Sequence, residues 1–161
     1  MDISKFVNQR IEKLFPSRSA YAHCDIPCGI YDPITAKIAA QTVLKMTVRM
    51  EAVDLSNGVT QVEQPNGVSR LIRVKEEHAQ NVKNELNILW SDYFKPEHLE
   101  KYPDLHELFW NANKLAGANK QGVSSESARK LVAVVDEIAT IFWATKGIDY
   151  SDAVSDTRYG S

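Results

Sequence analysis

Between residues 32 and 147 the apolar residues recur at intervals of three and four, and strong breakers cut the pattern into four long stretches. Such a repeat puts one apolar stripe on each helix, and four striped helices bury their stripes against one another. Asp32-Pro33 opens the first stretch, with Asp as N-cap and Pro in the first turn. Ile34, Ile38, Met46, Met50 and Val53 mark one face, so this helix is predicted to run to about Val53. A linker follows from Asp54 to Gly67, with Asn57-Gly58 and Gln64-Pro65-Asn66-Gly67 as turn signals. The second helix is predicted from about Ser69 to Tyr93. It turns Leu71, Val74, His78, Val82, Leu86, Leu89 and Tyr93 inward, with Arg73, Lys75, Glu76, Lys83 and Asn84 on the opposite side. Phe94-Lys95-Pro96 breaks it, and a short turn reaches Tyr102-Pro103. The third helix, from about Asp104 to Ala118, carries Leu105, Leu108, Phe109, Ala112 and Leu115. The fourth, from about Glu126 to Lys146, is capped by Ser124 or Ser125, lined by Leu131, Val134, Val135, Ile138, Ile141 and Phe142, and stopped at Gly147. No segment alternates convincingly at period two. The expected fold class is therefore all-α: an antiparallel four-helix bundle.

The ends of the chain differ from this body. Residues 1–22 read MDISKFVNQRIEKLFPSRSAYA, with Ile3, Phe6, Val7, Ile11, Leu14 and Phe15 at helical spacing. Ala20-Tyr21-Ala22 resembles a small-x-small cleavage site, yet Asn8-Gln9-Arg10 and Glu12-Lys13 interrupt the apolar run that a secretory signal needs. A removable cytoplasmic pro-segment fits better, and an ordinary N-terminal helix packed on the body is the plainer alternative. At the other end, residues 148–161 form a polar tail with Asp149, Asp152 and Asp156, expected to stay loosely ordered. A net charge of -2 argues against a nucleic-acid partner, and no apolar run is long enough to span a bilayer.

The chain has two cysteines, Cys24 and Cys28. A disulfide between them would close a tiny loop and stabilise little. With His23 beside the first, they read as a metal or redox site. Pro27 between them works against a helix, and Gly29 adds a flexible point, so the segment is a hook leading into the first helix. Two thiolates and one imidazole fall short of the four ligands of a structural zinc site. If His23 were the first residue of a mature chain, its free amine and the deprotonated amide of Cys24 would complete a planar N2S2 set. Ni(II) and Cu(II) favour that geometry. The His23 imidazole would then be free to act as an axial ligand.

The run HCDIPCGIYDP at 23–33 closely resembles the N-terminal hook of nickel superoxide dismutases, as do LWSDYFKP at 89–96, EKYP at 100–103 and IFW at 141–143. The resemblance spans about 23–146. It implies a four-helix subunit in a homohexamer, one nickel ion per subunit, and conversion of superoxide to oxygen and hydrogen peroxide by Ni(III)/Ni(II) cycling. It also implies a maturation protease that removes residues 1–22 to expose His23. The enzyme domain would then be 23–147, in the cytoplasm. His23, Cys24 and Cys28 match the nickel ligands. Pro27 matches the proline that turns the hook, usually through a cis bond, and Tyr31 a tyrosine that gates access to the metal. Asp25 and Tyr93 match residues supporting that pocket, and Lys95 a nearby lysine whose ammonium would help to attract an anion.

Two positions depart from the pattern. Where family members hold the axial histidine with a glutamate and an arginine, ungapped counting finds Ala39 and His78. His78 or water is the expected substitute contact, since such supports orient the ligand. Two readings from other classes compete. A dithiol redox or metal-carrier protein would work equally well uncleaved. A helical interaction module would tolerate loss of both cysteines.

Overall fold

The computed structural model describes residues 29–53 and 63–159. Helix α1 spans Ile34–Glu51. Helix α2 spans Glu63–Ile88 and continues as a π-helical turn, Leu89–Tyr93. A short α3, Pro96–Lys101, precedes α4, Leu105–Gln121, and α5, Ser125–Thr145; a further short helix, α6, covers Ser155–Tyr159. Helix α1 packs on α2 and α5, and α4 packs on the same two, closing a four-membered ring. Cross-contacts fix the directions. Tyr31, just before α1, meets Tyr93 at the end of α2, and Tyr93 meets Phe142 near the end of α5. At the far end, Glu51 of α1 accepts a hydrogen bond from the Ser125 amide that opens α5, at 2.7 Å. The long helices thus alternate in direction, and the described residues form the predicted all-α antiparallel bundle.

Local chemistry sets most of the boundaries. Asp32 Oδ1 accepts from the Ile34 amide at 2.8 Å, and Ser124 Oγ accepts from the Ser127 amide at 3.2 Å. Each side chain satisfies an N–H that the first turn leaves without a partner. Gly147 adopts φ 73°, and the Ile148 and Gly147 amides donate back to the Trp143 and Ala144 carbonyls at 3.0 and 3.1 Å. That is a Schellman stop, where a left-handed residue is needed and Gly costs least. Helix α2 begins before the predicted Ser69, at Glu63. Pro65 falls in its first turn, where the missing N–H would have no intrahelical partner, so the proline does not break the helix.

Two inward faces differ from the sequence reading. On α1 the buried stripe is Ala36, Ala39, Ala40, Val43, Leu44 and Thr47, while Ile38 is 45% exposed. Small alanines let neighbouring helices approach closely, so the large apolar residues do not mark the contact line. On α2, Lys75 was expected outside but is 2% exposed. Its ammonium donates to the carbonyls of Asn119, Lys120 and Gly122 at 2.6, 2.8 and 2.7 Å. These are acceptors at the end of α4, where a helix leaves carbonyls unpaired. Burial pulls the Lys75 ammonium below the usual lysine value, and the charge of Glu76 opposes it.

The tail, expected to be loosely ordered, is also different. Its described part docks against α1 and α5. Lys37 is 3% exposed, and its ammonium lies 2.6 Å from Asp136 and 3.1 Å from Asp152. Arg158 grips Asp152 through both carboxylate oxygens, at 2.8 and 3.0 Å, and reaches Gln41 Oε1 at 3.2 Å. Gln41 in turn donates to Ser155 Oγ at 2.6 Å, and Tyr150 stacks on Trp143. Two cations and two anions thus balance in one cluster, which makes the burial of Lys37 tolerable. Burial by itself would lower the Lys37 ammonium, but its hydrogen bonds to Asp136, Tyr150 and Asp152 prevail and hold it well above the usual lysine range. Arg158 chiefly, against some burial and helped by Lys37, holds Asp152 below the ordinary carboxyl value of 3.8. A carboxyl depressed in the fold contributes stability above its unfolded pKa and loses it as pH falls through the folded one. Asp152→Asn is therefore expected to cost roughly 2 kcal/mol at pH 7. Thermal unfolding of wild type and variant should converge as the pH drops below about 3.8. A gap that persists undiminished in acid would count against the cluster.

Candidate metal centre

The expected ligands His23, Cys24 and Cys28, together with Asp25 and Pro27, lie outside the described residues. What the structure does describe is the chain that directly follows the hook in sequence. Gly29 adopts φ 71°, and exposed Ile30 leads to half-buried Tyr31 and the capped start of α1. The Tyr31 ring lies 5.7 Å from that of Tyr93, centre to centre, at 55°. Two residues far apart in sequence, both singled out beforehand, thus stand side by side at the end of the bundle where the hook attaches.

The π turn is what presents Tyr93. The Phe94 amide donates to the Leu89 carbonyl at 3.0 Å, one residue further back than an α-helix allows. Across this widened turn Trp90 packs on Phe109 and His106. Tyr93 packs on Phe142 at 4.4 Å and Phe94 at 5.1 Å, and stacks on His98 at 5.6 Å. The Tyr93 hydroxyl is hydrogen-bonded to Thr145 Oγ1 at 2.5 Å. Lys146 Nζ lies 5.1 Å from the centres of both the Tyr93 and the Phe142 rings. Lys95, two residues after Tyr93, is exposed; its amide donates to His98 Nδ1 at 3.1 Å.

Sequence reasoning missed His98, Thr145 and Lys146 as neighbours of Tyr93. Periodicity reports which way one helix faces, not which residue of another helix it meets. Of the two departures, Ala39 is a core residue at 3% exposure. His78 is half-buried and its Nδ1 donates to the Val74 carbonyl at 2.8 Å, which leaves Nε2 for any further contact.

Among the described residues no three His, Cys, Asp or Glu side chains come together as a metal site. The donor set of the hook is the candidate, and its chemistry fits nickel. Thiolates, an imidazole and main-chain nitrogens suit a tetragonal Ni(II) and are a poor match for oxygen-seeking cations.

Comparison with known proteins agrees. The family model for nickel-containing superoxide dismutase matches residues 18–146. The nickel superoxide dismutases of Streptomyces coelicolor and Streptomyces seoulensis are 37% and 38% identical over 137 residues. Those alignments take in 84% of this chain and 98% of each relative. A solved native nickel superoxide dismutase is 38% identical and superposes with a TM-score of 0.68, over 77% of this chain and 99% of its own. Another, with its nickel ligation in the oxidised state, gives the same score and identity over 78% and 100%. A match of this extent, over a four-helix body, places the chain in the nickel-containing superoxide dismutase family.

Proposed function

We propose that the chain is made as a precursor, cleaved in the cytoplasm between Ala22 and His23, and loaded with one nickel ion per subunit of a homohexamer to disproportionate superoxide. One superoxide gives up an electron and leaves as oxygen; a second takes up an electron and two protons and leaves as hydrogen peroxide. Nickel supplies the one-electron couple, Ni(III)/Ni(II). The protein's share is to hold the ion through His23, Cys24 and Cys28, to limit access with Tyr31, and to order the pocket with Asp25 and Tyr93. Lys146, over the Tyr93 ring, and Lys95, two residues after Tyr93, add positive charge, which favours approach of an anion.

The observation that carries this reading is the run HCDIPCGIYDP inside a match covering 18–146. One further fact supports it. Relatives have been solved with nickel ligation of the oxidised state and of a partly reduced one, as expected where the ion changes oxidation state.

The test is nickel content and superoxide decay for a chain beginning at His23, alongside its Cys24→Ser and Cys28→Ser variants. The parent should hold about one nickel per subunit and turn over rapidly. Each serine variant should lose at least roughly a hundredfold in nickel affinity, since even partners outside the ligand set are worth 10–100-fold. A serine variant that keeps both nickel and turnover would sink the ligand assignment.

A further inference from the structure

Tyr93 ends in a hydroxyl, and a hydroxyl can donate one proton and accept through two lone pairs. The direction of its bond to Thr145 therefore decides what Tyr93 can offer to any further partner. Thr145 settles that direction. Its own hydroxyl approaches the Phe142 carbonyl at 2.6 Å, and a carbonyl oxygen only accepts, so the single Thr145 proton is spent there. Thr145 Oγ1 is left with lone pairs, and the Tyr93 hydroxyl must donate to it. Protons thus run one way, from Tyr93 to Thr145 to the main chain of α5.

We infer that Thr145 is a positioning residue, which fixes the Tyr93 hydroxyl as a pure hydrogen-bond acceptor toward any further partner. While this clamp holds, Tyr93 has no proton to give to the pocket. Whatever meets it there, a water hydrogen or another N–H or O–H, must be the donor. The clamp also sets the ring. Tyr93 is wedged by Phe142 and His98, and the bond to Thr145 pins its far end. Thr145 belongs to the last turn of α5, which the Gly147 stop fixes, so the hydroxyl it offers sits on a rigid support.

This rests on the reading of Tyr93 as a pocket residue, and the experiment separates the two. The probe is the 13Cζ resonance of Tyr93 in the full-length chain, assigned by its disappearance in Tyr93→Phe. It reports hydrogen bonding at the phenol without any metal. Thr145→Val keeps the shape and removes the acceptor; Thr145→Ser keeps the hydroxyl. The expected result is that the resonance moves in Thr145→Val and returns in Thr145→Ser. In the nickel-loaded enzyme kcat/KM should fall roughly three- to tenfold in Thr145→Val, the value of about one hydrogen bond, with nickel content unchanged and recovery in Thr145→Ser. An unmoved resonance overturns the clamp. A moved resonance with unchanged turnover, or a loss of nickel along with turnover, overturns the positioning role. If Tyr93→Phe itself turns over normally, the pocket reading of Tyr93 fails and the positioning role with it, while the resonance still decides the hydrogen bond. Should Thr145→Val not fold, Thr145→Ala carries the same readouts.

Discussion

A chain that keeps one residue ahead of His23, beginning at Ala22, will bind nickel weakly and dismute superoxide at roughly a hundredth or less of the rate of a chain beginning at His23. Every side chain of the hook is the same in the two proteins. The difference is Ala22, whose peptide bond turns the His23 nitrogen from an amine into a peptide nitrogen. A peptide nitrogen is planar because its lone pair is shared with the carbonyl, and so it is a poor donor unless its proton is removed. An amine near neutral pH has a free lone pair at little cost, since its ordinary pKa is about 7.7–8.0. The proposed plane consists of two thiolates, the Cys24 amide and the His23 amine, so losing the amine would remove one of its four donors. The experiment needs nickel content as well as decay of superoxide, because a chain that binds nickel normally but is inactive would point to blocked access instead. Equal nickel and equal turnover in both chains would remove the case for cleavage and favour a dithiol metal carrier, for which the amine is irrelevant.

What the residues revealed in advance follows from how far their signals reach. The four long helices were legible because Asp32-Pro33, Phe94-Lys95-Pro96, Ser124 and Gly147 act within one turn of their own positions. The start of α2 was not, because Pro65 reads as a breaker until it is known to fall in a first turn. The face of α1 was misread by giving weight to Ile38 over Ala36 and Ala40; alanine carries little hydrophobic signal yet marks where helices come closest. The tail was misread for a related reason. Asp152 and Arg158 look like solvated charges until the buried Lys37, more than a hundred residues earlier, supplies the reason for both. In the hook the residue types alone put His23, Cys24 and Cys28 forward as ligands, and those residues lie outside the described part of the chain. Tyr93 was reached only through resemblance, and Thr145 not at all, since only the packing of α2 against α5 brings those hydroxyls together.

Lys75 carries the largest stability effect expected in the described part of the chain. Lys75→Met should lower the free energy of unfolding by roughly 3 kcal/mol. Methionine keeps the apolar stem in place, so little is lost in packing; what goes is the ammonium and its three donated bonds. Hydrogen bonds to a charged group are worth more than neutral ones, and an acceptor left buried without a donor adds its own desolvation cost. The three acceptors are not equally exposed to that cost. Asn119 is buried, and its carbonyl has nowhere else to turn, whereas Gly122 lies at the surface, where water can replace the lysine. That is why the estimate is well below three full bonds. For a domain of this size the loss corresponds to a fall in Tm of roughly 6–12 °C. Lys114→Met makes the matched control, since Lys114 is exposed over Trp110 and its removal should stay within about 0.5 kcal/mol. Amide exchange at the end of α4 adds a local readout: protection should drop there first, because the variant frees the carbonyls that anchor that end to α2. If Lys75→Met unfolds like Lys114→Met, then the end of α4 is satisfied by solvent, and the buried ammonium is tolerated there without holding the two helices together.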